Sequence, residues 1–311
     1  MSGLPDMSVD IAGIKMRNPV MVASGTFGYG IEYADMVDLN QLGAIVVKGI
    51  CMDPCDGNTP PRMAEVPSGL VNAIGLQGPG VKGFAEKHMP FLRQFDTPVL
   101  VNIWGRTIEE YGDVAAAFDA VEGVAGLELN ISCPNVKEGG VSFGTNLEMA
   151  ANVISTVRRR TRLPLIPKLS PNVACIGAFA KMSQDEGADA ISLINTLPAL
   201  VIDVETRRPV LRNGVGGLSG AGIHHFAVKQ VYDASQAVSI PVIGMGGIYE
   251  PEDAIRFLLA GASSVAVGTA NFTDPGTAVR VISGIEAYLL RHGYTSVKDL
   301  VGALQFGQAR A

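Results

Sequence analysis

The stretch "LELNISCPNV", residues 127–136, starts as a buried strand and breaks abruptly into Asn, Ser, Cys, Pro and Asn. Its apolar half belongs to the run "GLELNI" (126–131), and runs of similar size recur on both sides of it. Upstream lie "PVMVAS" (19–24), "AIVVKG" (44–49) and "PVLVNI" (98–103). Downstream lie "PLIPKL" (164–169), "AISLIN" (190–195), "PVIGMGG" (241–247) and "SVAVGT" (264–269). Continuous apolar runs of this length suit strands covered on both faces, as in a parallel sheet. Turn residues and a helix-period segment follow each run, for example "LEMAANVISTVRRRT" (147–161) and "GAFAKMSQDEGA" (177–188). Eight such units predict an α/β chain folded as a (β/α)8 TIM barrel, which typically takes roughly 250 residues.

The chain has 311 residues, and the surplus falls in three places. "SVDIAGIKMRN" (8–18) alternates around Ala-Gly and predicts a hairpin capping the barrel bottom. The Gly- and Pro-rich segment 51–80 follows the second strand, and a similar insertion, 198–222, follows the sixth. Both should decorate the face where strands end, which is where barrels build their active sites. No repeat or linker divides the chain, so residues 1–311 read as one domain with elaborated loops.

Composition narrows the function. The chain is 47% hydrophobic and 17% charged, with a net charge of −6, which argues against nucleic acid or an anionic membrane as partner. The N-terminus has no basic flank followed by an apolar core, and no run of 18 apolar residues occurs. Four cysteines are too few for a disulfide framework at this length. A cytoplasmic protein with reduced thiols is the expectation.

The strands close on polar residues: Ser24, Lys48, Asn102, Asn130, Lys168 and Asn195. A lysine or asparagine ending a buried strand is costly without a partner. Any one of them could simply meet solvent at the barrel mouth; six together favour a shared polar ligand. Gly246-Gly247 and Gly268-Thr269 end the last two strands. Tight turns need glycine in any case, but barrels commonly hold a phosphate after strands seven and eight. A phosphate-tailed planar heterocycle with amide-like edges, flavin mononucleotide (FMN), matches this set. A lysine at its edge would stabilise the negative charge that develops on reduction.

Cys133 stands just past the fourth strand, between Asn130 and Asn135, at the start of a glycine-containing loop long enough to act as a lid. A lone cysteine is usually structural, as Cys175 reads within the apolar "NVACIGAFA". The strand-end position of Cys133 favours a catalytic thiol instead. No histidine is near it in sequence, so a thiolate acting as a base toward a carbon acid stays open. Cys51 and Cys55 have no second pair to complete a metal site and read as ordinary loop thiols. No metal is expected.

The motifs "NPVMVASGTFGYG", "VVKGI", "GNTPPRMAEVPSGLVNAIGLQGPG", "LELNISCPNVKEGG", "PKLSPNV" and "GMGGIYEPEDA", with "VGTA" beyond, together resemble the class 1 dihydroorotate dehydrogenases over nearly the whole chain. "SCPNVKEGGVSFGT" is most similar to subclass 1B, whose catalytic subunit serves de novo pyrimidine biosynthesis. The resemblance implies a homodimer core in a heterotetramer with an electron-transfer subunit that carries FAD and a 2Fe–2S cluster and passes electrons to NAD. It implies that Cys133 takes the C5 proton of dihydroorotate while hydride leaves C6 for the flavin. Lys48, with Gly49 beside it, would touch flavin and substrate. Asn72, Ala73, Ile74, Gly75 and Leu76 would hold the orotate ring and carboxylate, joined by Asn130, Asn195 and Thr196. FMN would contact Ser24, Asn102, Asn130 and Lys168, then Ile194 and Gly220, and the phosphate residues Gly246, Gly247, Gly268 and Thr269. The family's membrane-bound branch has serine where Cys133 stands. "NIWGRTIEEY" departs from the family in placing Trp104 and Arg106 after Asn102, which bears on that loop.

Three alternatives stay open. One is subclass 1A, a self-sufficient homodimer that reduces fumarate. Another is a Schiff-base lyase using Lys168. The third is a silent phosphate-ligand module, because fold alone does not set function.

Overall fold

Each of the eight apolar runs forms a strand, and the strands are parallel and close on themselves. In the computed structural model, which describes residues 3–131, 137–138 and 141–307, they are β1 (Val20–Val22), β2 (Ala44–Ile50), β3 (Val99–Ile103) and β4 (Val124–Asn130). They continue as β5 (Leu165–Lys168), β6 (Ile191–Leu193), β7 (Val242–Met245) and β8 (Ser264–Val267). Neighbours in sequence are neighbours in the barrel, and β8 closes it on β1 with Val265 opposite Val20. The strands are buried almost throughout because helices cover their outer face and side chains fill the interior.

The helices are α1 (Gly80–Lys87), α2 (Met89–Leu92), α3 (Ile108–Phe118), α4 (Leu147–Arg160) and α5 (Ile176–Asp185). They continue as α6 (His224–Ser235), α7 (Pro251–Leu259) and α8 (Thr277–His292). Their starts are chemically marked. Thr107 and Asn146 each accept a backbone N–H from the first turn of α3 and α4. In α4, Ala150, Val153, Ile154 and Val157 are buried, the spacing of one helical face.

One expectation fails. No α-helix follows β1; turns and a 3-10 turn at Leu39–Gln41 bridge to β2. Gly25, Gly28 and Gly30 all have positive φ there, which interrupts a helix, while Phe27, Leu39 and Leu42 fill the space against the barrel.

The predicted hairpin is present: Val9–Ile11 pairs with Ile14–Met16 around Ala12 and Gly13, both at positive φ as a two-residue turn requires. Ile11 is fully buried, and the hairpin borders a groove with Thr97, Pro98, Ala125 and Pro164, which lie at the starts of β3, β4 and β5. It therefore covers the barrel's N-terminal end.

At the opposite end the two insertions make one structure. Leu197–Leu200, Val215–Ser219, Gly69–Asn72 and Met63–Val66 form a four-stranded antiparallel sheet in that order. Gly217 lies opposite Asn72, so the loop after β2 and the loop after β6 are hydrogen-bonded together. Val71, Ala73 and Leu211 form a small separate core beneath it.

Candidate active site

The polar strand ends converge at the C-terminal end of the barrel, and a residue that sequence reasoning missed sits among them. Glu128 on β4 is 2% exposed. Its carboxylate accepts hydrogen bonds from Asn102 Nδ2 at 2.6 Å and Ser192 Oγ at 2.9 Å, and it lies 3.7 Å from Lys168 Nζ. Lys168 Nζ also donates to Ser24 Oγ at 3.2 Å. Strands alternate faces, so Glu128 and Asn130 point the same way. Asn195 Nδ2 in turn donates to Asn130 Oδ1 at 3.3 Å. Ser24, Asn102 and Lys168 are thus joined around Glu128, and Asn130 and Asn195 are joined to each other. A charged residue inside "LELN" was the available signal for Glu128.

Tyr111 on α3, fully buried, donates its hydroxyl to the Asn130 carbonyl at 2.8 Å and so anchors the end of β4. Cys133, in the segment that follows, lies outside the described residues. Gly49 faces this cluster: a Cβ there would come within 2.9 Å of Asn102 Oδ1, 3.3 Å of the Trp104 ring and 3.8 Å of Leu76. Trp104 is buried and Arg106 lies over it, 5.2 Å from the ring centroid, paired with Glu110. The departure flagged in sequence is therefore packed into the wall beside Gly49.

The segment Asn72–Leu76 is braced on both sides. Asn58 donates its backbone N–H to the Ile74 carbonyl and its side-chain amide to the Ala73 carbonyl, at 2.9 Å each. Gly75 and Leu76 take positive φ, and a Cβ on Gly75 would strike Asn58 at 2.5 Å. Asn72 Nδ2 reaches the Gly217 carbonyl at 3.3 Å, and Gly217 packs on Thr196. Thr196 also donates its backbone N–H to Asn195 Oδ1 at 2.9 Å.

Lys48 on β2 is partly buried. Burial pushes its ammonium below the ordinary lysine range, the Arg62 guanidinium adds to this, and Glu32 opposes it. Arg62 is tied to Gln77 Oε1 at 2.7 Å. Two cations and a row of amide and backbone groups at this spot suit a small anionic ring.

The glycine ends of β7 and β8 form a second pole. Gly246 and Gly247 have φ of +136° and +66°, and a Cβ on Gly247 would lie 2.8 Å from both the Gly220 carbonyl and His224 Cβ. Gly246 packs near Ile194, at 3.6 Å from a Cβ placed there. His224 Nδ1 is 3.0 Å from the Gly246 carbonyl, which can only accept, so Nδ1 carries the proton. Burial lowers the His224 pKa and favours the neutral ring. Thr269 Oγ1 donates to Ser219 Oγ at 2.8 Å, and Gly268 lies next to Ala23, 3.7 Å from a Cβ placed on it. Among the described residues, the backbone N–H groups of Gly247, Gly268 and Thr269 meet no protein acceptor. Free donors, hydroxyls and glycine backbone fit a phosphate, and Lys168 with the asparagines fits a polar ring above it.

The thiols divide differently from expectation. Cys175 is exposed, not buried: it precedes α5 in extended backbone, while Ile176, Phe179 and Ala180 take the inward positions. Cys51 is buried, and burial pushes its thiol up to about 11.

Comparison with known proteins accords with this arrangement. The profile described as Dihydroorotate dehydrogenase matches residues 6–289. The "Dihydroorotate dehydrogenase B (NAD(+)), catalytic subunit" of Geotalea daltonii is 54% identical over 301 residues, covering 97% of this chain and 99% of that protein. Proteins of the same name from Geobacter metallireducens and Thermoanaerobacter pseudethanolicus are 52% and 49% identical, covering 97% and 96% of this chain and 99% of each relative. With its barrel, its ring of strand-end amides and lysines and this end-to-end likeness, the chain belongs to the dihydroorotate dehydrogenase family.

Proposed function

We propose that this chain is the catalytic subunit of an NAD-linked dihydroorotate dehydrogenase that oxidises dihydroorotate to orotate. The observation that carries the reading is the gathering of Ser24, Asn102 and Lys168 around Glu128, with Asn130 and Asn195 paired beside them at the strand ends, in a chain matched end to end by relatives of that name. FMN, when bound, supplies the hydride acceptor. Gly220, Gly246, Gly247, Gly268 and Thr269 hold its phosphate, and Ser24, Gly49, Asn102, Lys168 and Ile194 hold its ring.

Lys48 meets the substrate carboxylate. Asn72 through Leu76, with Asn130, Asn195 and Thr196, orient the ring by amide and backbone hydrogen bonds. Cys133 takes the C5 proton as general base, which requires thiolate character near neutral pH. Electrons leave through a partner subunit carrying FAD and an iron–sulfur cluster, on a homodimer core. The protein works in the cytoplasm. No described helix is long and apolar enough to cross a membrane.

The test is anaerobic mixing of the purified yellow protein with dihydroorotate, following loss of oxidised-flavin absorbance. Cys133→Ala should keep its flavin and slow bleaching by roughly 10²–10⁴-fold, the usual worth of a general base. An unchanged rate removes Cys133 from the chemistry. Steady turnover of the chain alone with fumarate would move the reading to subclass 1A.

A further inference from the structure

Glu128 carries its carboxylate inside the barrel, with 3% of the side chain exposed, and the reaction as read above gives it no task. A buried charge of this kind is retained only where partners surround it. Here three strands supply them: Asn102 from β3, Ser192 from β6 and Lys168 from β5. We propose that Glu128 is a positioning residue that orients Asn102 and Lys168 toward the flavin and lowers the flavin's reduction potential by offsetting the lysine's charge. The proposal rests on the flavin reading of the site.

The orientation argument starts from the amide. With Nδ2 of Asn102 committed to the carboxylate at 2.6 Å, Oδ1 is turned to the Gly49 side, where a Cβ would meet it at 2.9 Å. Glu128 thereby presents an acceptor, and not a donor, at that point of the wall. Ser192 holds the other carboxylate oxygen, so the group cannot swing.

The electrostatic argument concerns Lys168. At 3.7 Å the ammonium and carboxylate attract each other without a direct hydrogen bond, and among the described residues the lysine donates to Ser24 Oγ alone. Lysine donors therefore remain for a ligand, while a negative charge stands 3.7 Å from the ammonium. An unopposed lysine would stabilise the charge that gathers on a flavin as it is reduced. The carboxylate cancels part of that field in a site where water screens little. A flavin so placed gives electrons up more readily, as onward transfer to a second acceptor demands.

The measurement is the midpoint potential of bound FMN, by anaerobic equilibration with redox dyes. Glu128→Gln keeps the side chain's shape and should shift the midpoint to more positive values. The expected change is on the order of tenfold in the reduced-to-oxidised ratio at fixed potential, about 30 mV for a two-electron couple. An unchanged or more negative midpoint in Glu128→Gln overturns the proposal. Should that variant not fold, Glu128→Asp withdraws the charge from Lys168 without removing it. It should give a smaller shift of the same sign, and no shift there overturns the proposal equally. Wild-type protein that neither retains nor binds FMN would overturn the flavin reading and this proposal with it. Retained flavin with an unmoved potential overturns the role of Glu128 alone.

Discussion

Lys48 holds its charge against both burial and the neighbouring Arg62, so its folded-state pKa is lowered. Between that lowered value and the ordinary lysine value, the unfolded chain binds more protons than the ligand-free fold. This residue's contribution to stability therefore rises with pH across that window. Ligand binding runs the opposite way. A carboxylate beside Lys48 restores its proton, so orotate affinity should fall as pH rises through the lowered value. Calorimetric titration with orotate across that range measures it, and Lys48→Gln should bind weakly with no such pH dependence. Opposite slopes for stability and affinity are what distinguish a carboxylate-binding lysine from one that merely sits at the mouth. Residue type and strand position announced Lys48, Asn102, Asn130 and Lys168 in the sequence. Glu128 showed in the sequence only as a charge inside an apolar run, and its partners Asn102, Ser192 and Lys168 could not be named until the strand's neighbours were known.

At the scale of elements, the sheet over the barrel mouth decides the geometry of the Asn72–Leu76 segment. Gly217 sits opposite Asn72 in that sheet, and a Cβ there would collide with the Thr196 hydroxyl. Gly217→Ala should therefore displace Thr196 and Asn72 together. The expected outcome is a KM for dihydroorotate raised roughly tenfold, equivalent to about 1.4 kcal/mol, with FMN content unchanged. Steady-state kinetics and flavin absorbance read the two effects separately. The two insertions were visible in sequence as Gly- and Pro-rich surplus after the second and sixth strands, and their common face followed from barrel topology. Their pairing was not visible. Antiparallel register between segments this far apart depends on which backbone edges the barrel brings together. The missing helix after β1 has a local cause: three glycines at positive φ, in a stretch whose apolar spacing still resembles a helix.

Across the whole molecule the two ends of the barrel do different work. The N-terminal end is closed by the hairpin, where Ile11 is fully buried. Ile11→Ala should cost roughly 2–5 kcal/mol, the range for such a truncation in a packed core, measured by urea unfolding. KM and flavin content should not change, because the residues proposed to bind ligand lie at the opposite end. A loss of flavin from this variant would show the two ends to be mechanically coupled. The sequence by itself determined the eight strands and their parallel barrel, the capping hairpin, and the lysines, asparagines and glycines at the strand ends. It could do so because burial on both faces and tight turns constrain residue type locally, position by position. Only the tertiary structure decided that Glu128 sits among Asn102, Ser192 and Lys168, that two distant insertions form one sheet, and that Cys175 faces out while Cys51 is buried. Those outcomes depend on which strands become neighbours once the barrel closes, and no local pattern encodes a contact between segments that meet only then.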